Sequence, residues 1–236
     1  MALPKLNDVP NYELVIPSSG KKVSYRPFLV KEQKVLLMAL ESQDEKQILT
    51  AIVNTIKECV VDEININNLA TFDLEFIFTQ LRSKSAGETS KVNLLCEKCN
   101  EPTEIEIKLS EIEISLDNQN KEIQLTDQYT LIMKYPQYSA ILLKVDSKVE
   151  ETLTEAIFEM IIMCLDELRT DEEIIKFKDE SKEEIEKFLE GLTSPQLEKL
   201  IGFVNNLPKL KHDIDCECAS CNHKNKVTLE GIQDFF

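Results

Sequence analysis

The stretch of sequence that decides the fold is LLCEKCNEPTEIEIKL at residues 94–109, because DCECASCNHKNKVTL at residues 215–229 repeats its pattern. Each stretch contains two cysteines separated by two residues, an asparagine directly after the second cysteine, and then alternating apolar and polar residues. Asparagine tolerates the left-handed backbone conformation that a metal-binding cysteine turn commonly needs at that position. Alternation with a period of two predicts a strand. The sequence therefore predicts the same turn and strand twice.

The cysteines of the two turns form a candidate metal site. Two thiolates from each turn would complete the tetrahedral shell of one Zn²⁺ ion, and four thiolates leave no open position for catalysis. The long separation is no objection, because the entropy cost of closing a loop grows only logarithmically with its length. The sequence predicts a split zinc ribbon in which one structural zinc ties the C-terminal tail to the middle of the chain, with the ligands Cys96, Cys99, Cys218 and Cys221.

Other interpretations of the cysteines stay open. A CxxC pair can be redox-active, although no thioredoxin-like βαβ pattern accompanies these two, and the turns could hold by packing without a metal. Cys216 is interpreted as a strand residue, whereas His212 and His223 flank the second turn and could replace a ligand. Cys59 and Cys164 lie in helical apolar stripes and are predicted to be buried as small hydrophobic side chains.

The composition argues against several classes of partner. The 236 residues include 27 Lys and Arg against 43 Asp and Glu, a formal net charge of −16. This charge disfavours a nucleic-acid backbone and an anionic membrane surface, and acidic residues surround both cysteine turns. The longest apolar run is too short to span a bilayer, and the N-terminus lacks the apolar core of a secretory signal. Seven cysteines, an odd number, favour thiols in a reducing cytoplasm over a disulfide framework.

The remaining sequence alternates between strand and helix patterns. Residues 12–28 alternate on both sides of the turn-forming sequence PSSG and predict an N-terminal β-hairpin. Helical periodicity follows at 29–41, 46–61, 71–85, 138–145, 149–168, 181–192 and 194–207, and period-two alternation occurs at 104–116 and 129–135. Thr71 and Ser194 are predicted N-caps, Ser181 with Glu184 forms a capping box, and Gly87 closes a helix.

These patterns predict an α+β protein with an N-terminal β-hairpin, two helical modules and a small β region that carries the split zinc-ribbon-like element. The predicted segments are 1–91 (hairpin and helices), 92–135 (β region with the first cysteine turn), 136–210 (helical module) and 211–236 (tail with the second turn). The terminal Phe235 and Phe236 are predicted to anchor in the protein's own core, with a partner protein as the alternative.

Enzymatic motifs are absent from the sequence. No nucleotide-binding glycine loop, nucleophile elbow or HExxH motif occurs, and both histidines adjoin the second cysteine turn. The sequence therefore predicts a protein without catalytic activity and without a small-molecule substrate, in which zinc stabilises the fold and function depends on binding another protein.

Four segments in order along the chain carry a resemblance to a known family. They are YELVIPSSGKKVSYRPFLVKEQKVLLMALES (12–42), FDLEFIFTQLRSKSAGE (72–88), KFKDESKEEIEKFL (176–189) and LPKLKHDIDCECASCNHKNKVTLEGIQDFF (207–236). Together they resemble the baseplate hub subunit or baseplate hub assembly protein family of T4-like contractile-tailed bacteriophages.

The resemblance implies a late viral protein that binds phage baseplate hub proteins in the host cytoplasm while the tail baseplate is built. It leaves open whether the protein acts as a chaperone-like assembly factor that is released or as a permanent hub subunit in the virion. A zinc-ribbon nucleic-acid or transcription-related binder is a further alternative, which the acidic charge disfavours.

Overall fold

The structure, a computed structural model, describes residues 9–114, 120–141 and 152–231. The strands are β1 (Tyr12–Val15), β2 (Lys22–Tyr25), β3 (Thr89–Leu95), β4 (Pro102–Lys108), β5 (Glu113–Ile114), β6 (Glu122–Gln124), β7 (Thr130–Met133), β8 (Leu165–Arg169), β9 (Ile174–Lys176), β10 (Leu210–Glu217) and β11 (Lys224–Glu230). The helices are α1 (Val30–Ser42), α2 (Glu45–Cys59), α3 (Thr71–Ala86), α4 (Leu153–Cys164), α5 (Lys182–Glu190) and α6 (Ser194–Asn205), with single 3₁₀ turns at Ile66–Asn68, Leu109–Glu111 and Phe177–Asp179.

The chain divides into two compact units. One consists of the described residues within 1–115 and 209–236, and the other of those within 116–208. The second unit thus interrupts the first in sequence. The finer division into four segments stays a prediction, while the α+β class is confirmed by the mixture of helices and small sheets.

The first unit begins with the predicted hairpin, in which β1 and β2 pair antiparallel. Its turn is held by Asp73 at the start of α3. The buried carboxylate accepts hydrogen bonds from the Ser18 backbone N–H (2.9 Å), the Ser18 hydroxyl (2.6 Å) and the Ala70 N–H (3.0 Å). These bonds fix the hairpin turn to the N-terminus of the helix.

The exit of the hairpin is fixed to the first two helices by Arg26. Its guanidinium donates to the Glu32 carboxylate of α1 at 2.8 Å and to the Glu58 carbonyl of α2 at 2.9 Å. Glu32 is 6% exposed and also accepts from the Leu29 N–H at 2.8 Å. Because a buried carboxylate is costly without partners, this pairing determines how the chain enters α1.

The cysteine-containing hairpins complete the first unit. β3 pairs with β4 as one two-stranded sheet, and β11, β10 and β5 form another in that order. Apolar side chains from both sheets and from the adjacent 3₁₀ turn form one buried cluster: Val92, Ile107, Leu109, Ile112, Leu210, Ile214 and Leu229. Packing therefore joins the middle β region to the C-terminal hairpin independently of any metal.

The second unit has its own sheet and its own core. β6, β7, β8 and β9 follow one another in an antiparallel sheet, and α4, α5 and α6 contribute apolar side chains to the same core. The most deeply buried members are Leu131, Ile161, Cys164 and Leu200, each 0% exposed. This unit can therefore bury a hydrophobic core without the cysteine turns.

Several helix ends differ from the predictions. Thr71 is the first residue of α3 rather than its N-cap, because Ala70 caps the helix and Asp73 accepts the Ala70 N–H. Ser194 is likewise the first residue of α6, since Thr193 is the cap and its N–H donates to Gln196. Gly87 does end α3, but with φ 125° and ψ 154° rather than in the left-handed helical region.

The predicted helix at 149–168 is too long at its C-terminal end. α4 stops at Cys164, and Leu165–Arg169 forms β8 because its backbone pairs with β7. The predicted helix at 138–145 and the terminal Phe235 and Phe236 lie partly or wholly outside the described residues. Among the residues that the structure describes, no helix is both long enough and apolar enough to cross a membrane.

Candidate metal centre

Each cysteine turn connects the two strands of one hairpin, and the two hairpins have the same strand register. β3 and β4 pair from Thr89 with Lys108 to Leu95 with Pro102, and β10 and β11 pair from Lys211 with Glu230 to Glu217 with Lys224. One shift of 122 residues, the distance from Cys96 to Cys218, superimposes every pair of the first ladder on the second. The repeat seen in the sequence is therefore a repeat of complete hairpins.

The backbone of the two turns is also the same. Asn100 has φ 57° and Asn222 has φ 55°, which confirms the predicted left-handed asparagine after each second cysteine. The Asn100 N–H donates to the Cys96 carbonyl and the Asn222 N–H to the Cys218 carbonyl, both at 2.9 Å. A side chain with a branched β-carbon would be strained at either asparagine, because the left-handed region crowds it.

The four cysteine sulfurs form one compact cluster. The Cys96 and Cys221 Sγ atoms are 3.7 Å apart, the Cys99 and Cys218 Sγ atoms are 3.6 Å apart, and all four lie within 4.8 Å of one another. Each short distance joins a sulfur of one turn to a sulfur of the other. The cluster therefore links the middle of the chain to its C-terminal hairpin.

The spacing of the sulfurs fits a tetrahedral metal. With metal–sulfur bonds of about 2.3 Å, the sulfurs of a tetrathiolate zinc site lie about 3.8 Å apart. The two short distances of 3.6 and 3.7 Å agree with that value, and all four cysteines are free thiols rather than disulfides. The donor set suits a soft or borderline cation such as Zn²⁺.

Backbone amides of each turn are directed at its first cysteine. Burial opposes ionisation of Cys96, but the N–H groups of Cys99 and Lys98 donate to its sulfur and lower its pKa to about 6. The N–H groups of Cys221 and Ser220 likewise lower the pKa of Cys218. Each turn therefore stabilises one thiolate through its own backbone.

The second cysteine of each turn behaves differently. The Glu101 N–H lowers the pKa of Cys99, but desolvation and the neighbouring sulfurs outweigh it and raise the pKa to about 12. The His223 N–H and the Cys99 sulfur lower the pKa of Cys221, but desolvation and the sulfurs of Cys96 and Cys218 outweigh them and raise it. Four thiolates this close repel one another, so a cation is what would allow all four to ionise together.

Asn225 is a bridging residue that the sequence did not reveal. Its buried side chain, 3% exposed, accepts from the Glu97 N–H at 3.1 Å and donates to the His223 carbonyl at 3.3 Å. It thereby joins the first turn to the second without a sulfur. Glu97 lies 128 residues away along the chain, so no local pattern around Asn225 could have indicated the contact.

The remaining candidate ligands lie outside the cluster. Among the described residues, only the four turn cysteines come together closely enough to share one cation at this position. Cys216 lies in β10 opposite Asn225 and packs against the buried apolar cluster. Cys59 and Cys164 are each 0% exposed, which confirms their prediction as buried side chains, and burial raises their pKa values to about 11 and about 12.

The fold and the cysteine cluster define a class: an α+β protein in which two equivalent hairpins from distant parts of the chain are joined at their turns. The chain belongs to the T4 bacteriophage base plate protein family, whose model matches residues 9–236. Membership over nearly the whole chain confirms a phage baseplate protein and implies contact with other baseplate components. Comparison with curated proteins and with solved structures found no match.

Proposed function

We propose that this chain acts in building the central hub of the phage tail baseplate by binding hub proteins, without catalysing a reaction, and that one structural zinc holds its fold. The zinc ligands are the sulfurs of Cys96, Cys99, Cys218 and Cys221. The proposal draws on the baseplate family for the setting and on the cysteine cluster for the metal.

The main observation in support of a bound metal is that four thiols from two distant turns lie close together. Packing alone joins the hairpins through Val92, Ile214 and their neighbours, and this does not require sulfur at the turns. Four free thiols within 4.8 Å of one another, each accepting backbone N–H groups, are accounted for by a cation. Bound zinc would supply the positive charge that the four thiolates need.

The surroundings of the cluster favour a protein partner over a nucleic acid. Several lysines on the two hairpins pair with carboxylates, among them Lys91 with Glu104 at 2.7 Å and Lys226 with Asp215 at 3.7 Å. Lys209 and Lys211 both pair with Glu230. Since these lysines are partly neutralised and the chain carries a net charge of −16, the hairpins do not offer the basic patch that binds phosphates.

A permanent place in the hub is the second candidate function. Membership in a baseplate family favours it, because such a protein would remain in the tail of the virion. A released assembly factor would instead act in the host cytoplasm and leave the particle. Both functions use the same fold and the same zinc, so they differ only in the lifetime of the complex.

The metal is tested by elemental analysis of the purified full-length chain. We expect one equivalent of zinc, and loss of most of it when Cys96, Cys99, Cys218 or Cys221 is changed to Ser. Cys216→Ser is the matched control, because Cys216 is on the same hairpin but outside the cluster. A metal-free chain that is stably folded would contradict the zinc.

The hub function is tested by following a tagged chain through infection. We expect hub proteins to copurify with it from infected lysate. An assembly factor will be absent from mature virions, whereas a permanent subunit will be retained in them at fixed stoichiometry. A chain that copurifies with no baseplate protein from either source would contradict both functions.

A further inference from the structure

Helix α1 exposes an unusual number of large apolar side chains. Twelve such side chains are exposed among the described residues, and five of them lie in this 13-residue helix. Their exposed fractions run from 50% to 79%, and Leu29 at the N-cap is a sixth; the five are Val30, Val35, Leu37, Met38 and Leu40. Single exposed apolar residues are ordinary, but a concentration of them on one element marks an interaction surface.

The opposite side of α1 is the one that packs within the protein. Glu32 and Ala39 are its buried residues, and α1 packs on α2. Positions 30, 34, 37, 38 and 41 lie on the outward side, since residues three, four and seven apart share a face of a helix. The apolar residues Val30, Leu37 and Met38 therefore lie on the side of α1 that faces away from the described core of the first unit.

Two opposite charges lie on either side of the centre of this outward face. Lys34 and Glu41 are exposed and seven residues apart, so they lie almost in line along the helix about 10 Å from each other. Leu37 and Met38 lie between them. The face is thus positive toward the N-terminal end and negative toward the C-terminal end, with apolar side chains at its centre.

This pattern is complementary to itself. If two α1 helices run antiparallel about a two-fold axis between residues 37 and 38, Lys34 of each copy faces Glu41 of the other. The same arrangement places Leu37 of each copy opposite Met38 of the other. A two-fold interface uses one surface patch twice, and self-complementarity is the property that it requires.

We propose that the outward face of α1 binds the same face of a second copy of this chain as an antiparallel helix pair. Two chains that each carry a net charge of −16 repel each other. The expected dimer is therefore weak, with a dissociation constant in the micromolar range at physiological salt.

Sedimentation equilibrium of the full-length chain over a range of concentrations tests the dimer. We expect a monomer–dimer equilibrium for the wild type and a monomer for Leu37→Glu. Ile174→Glu is the matched control, because Ile174 is 58% exposed, comparable with Leu37 at 52%, but belongs to the other unit. The control should dimerise like the wild type.

Charge exchange tests the antiparallel geometry without touching an apolar residue. Lys34→Glu alone and Glu41→Lys alone should each raise the dissociation constant at least about tenfold, because each places like charges opposite each other twice. The double variant should restore the wild-type value. An equimolar mixture of the two single variants should form a heterodimer, since both crossed pairs are then attractive.

Several results would refute the proposed pairing of α1 helices. A wild type that stays monomeric, a Leu37→Glu variant that dimerises normally, or a double variant no better than the single ones would each refute the pairing. If the chain is monomeric and the α1 variants lose a hub protein instead, the face belongs to a different partner and the proposal fails. Far-ultraviolet circular dichroism of every variant establishes that it is folded.

Discussion

Glu32 shows how much one buried carboxylate can contribute to this fold. Burial by itself raises its pKa, but hydrogen bonds from Arg26, the Leu29 N–H and Lys31 outweigh burial and lower the pKa from 4.5 to about 2. A carboxylate whose pKa is lower in the folded chain stabilises the fold when it is ionised. That stabilisation is present above about pH 4.5 and is lost as the pH falls toward 2.

The pH dependence of Glu32 gives a prediction for the stability of the fold. Glu32→Gln should be less stable than the wild type at pH 6, and the difference in free energy of unfolding should shrink progressively between pH 4.5 and pH 2. Urea unfolding of both proteins across this range measures it. A difference that stays constant down to pH 2 would show that ionisation of Glu32 does not stabilise the fold.

At the same scale, the residues of the candidate metal site were predictable to different degrees. The four cysteines and the left-handed Asn100 and Asn222 follow from local spacing and backbone sterics, both of which a sequence displays. Asn225 does not, because its role depends on the Glu97 N–H, which only the folded chain brings near. Residues that act through distant backbone groups have no local signature.

At the scale of elements, helix capping separates two serines that look alike in the sequence. Ser181 is the N-cap of α5, with its hydroxyl accepting the Glu184 N–H and the Glu184 carboxylate accepting the Ser181 N–H. Ser194 was also predicted to cap its helix but is the first residue of α6. A serine inside the first turn does not satisfy the free backbone donors that a cap satisfies.

Alanine substitutions should therefore have unequal effects. Ser181→Ala should lower the free energy of unfolding by about 1 kcal/mol, the usual value of an N-cap. Ser194→Ala should change it by less than about 0.5 kcal/mol, as expected for a surface site without such a role. Urea denaturation of the two variants compares them directly, and equal losses would refute the assignment of the caps.

The strands that could not be predicted from the sequence are those that form only because a neighbouring strand offers backbone hydrogen bonds. Residues 165–169 continue the helical period of α4, yet they form β8 because β7 and β9 offer backbone partners on either side. Residues 174–176 form β9 in the same way. Strand propensity depends more on tertiary context than helix propensity does, so short strands of this kind are poorly marked in a sequence.

At the scale of the whole molecule, only one of the two units contains the cysteine cluster. The unit formed within 1–115 and 209–236 holds all four thiols, whereas the unit within 116–208 has a separate apolar core. The α+β class and the joining of the two turns were accessible from the sequence. The separate sheet of the second unit was not, because half of its strands lack a clear alternating pattern.

If the cysteine cluster binds zinc as proposed, removal of the zinc should affect the two units unequally. After chelation, hydrogen exchange should accelerate in peptides covering β3–β4 and β10–β11, because the four sulfurs of the two turns would no longer bind one common cation. Peptides covering α5 and α6 should exchange at unchanged rates. Mass-spectrometric exchange with and without chelator makes the comparison, and uniform acceleration across both units would contradict a metal that acts only on the first.

Because the two cysteine turns are far apart in the sequence, the first turn is synthesised well before the second. A ribosome produces Cys99 a full 119 residues before Cys218, which at about 5–20 residues per second is a delay of roughly 6–24 s. Until then the first turn presents two sulfurs without their counterparts. A nascent chain that is released before Cys221 is made cannot close the four-sulfur cluster, whereas any chain that extends past Cys221 contains all four sulfurs.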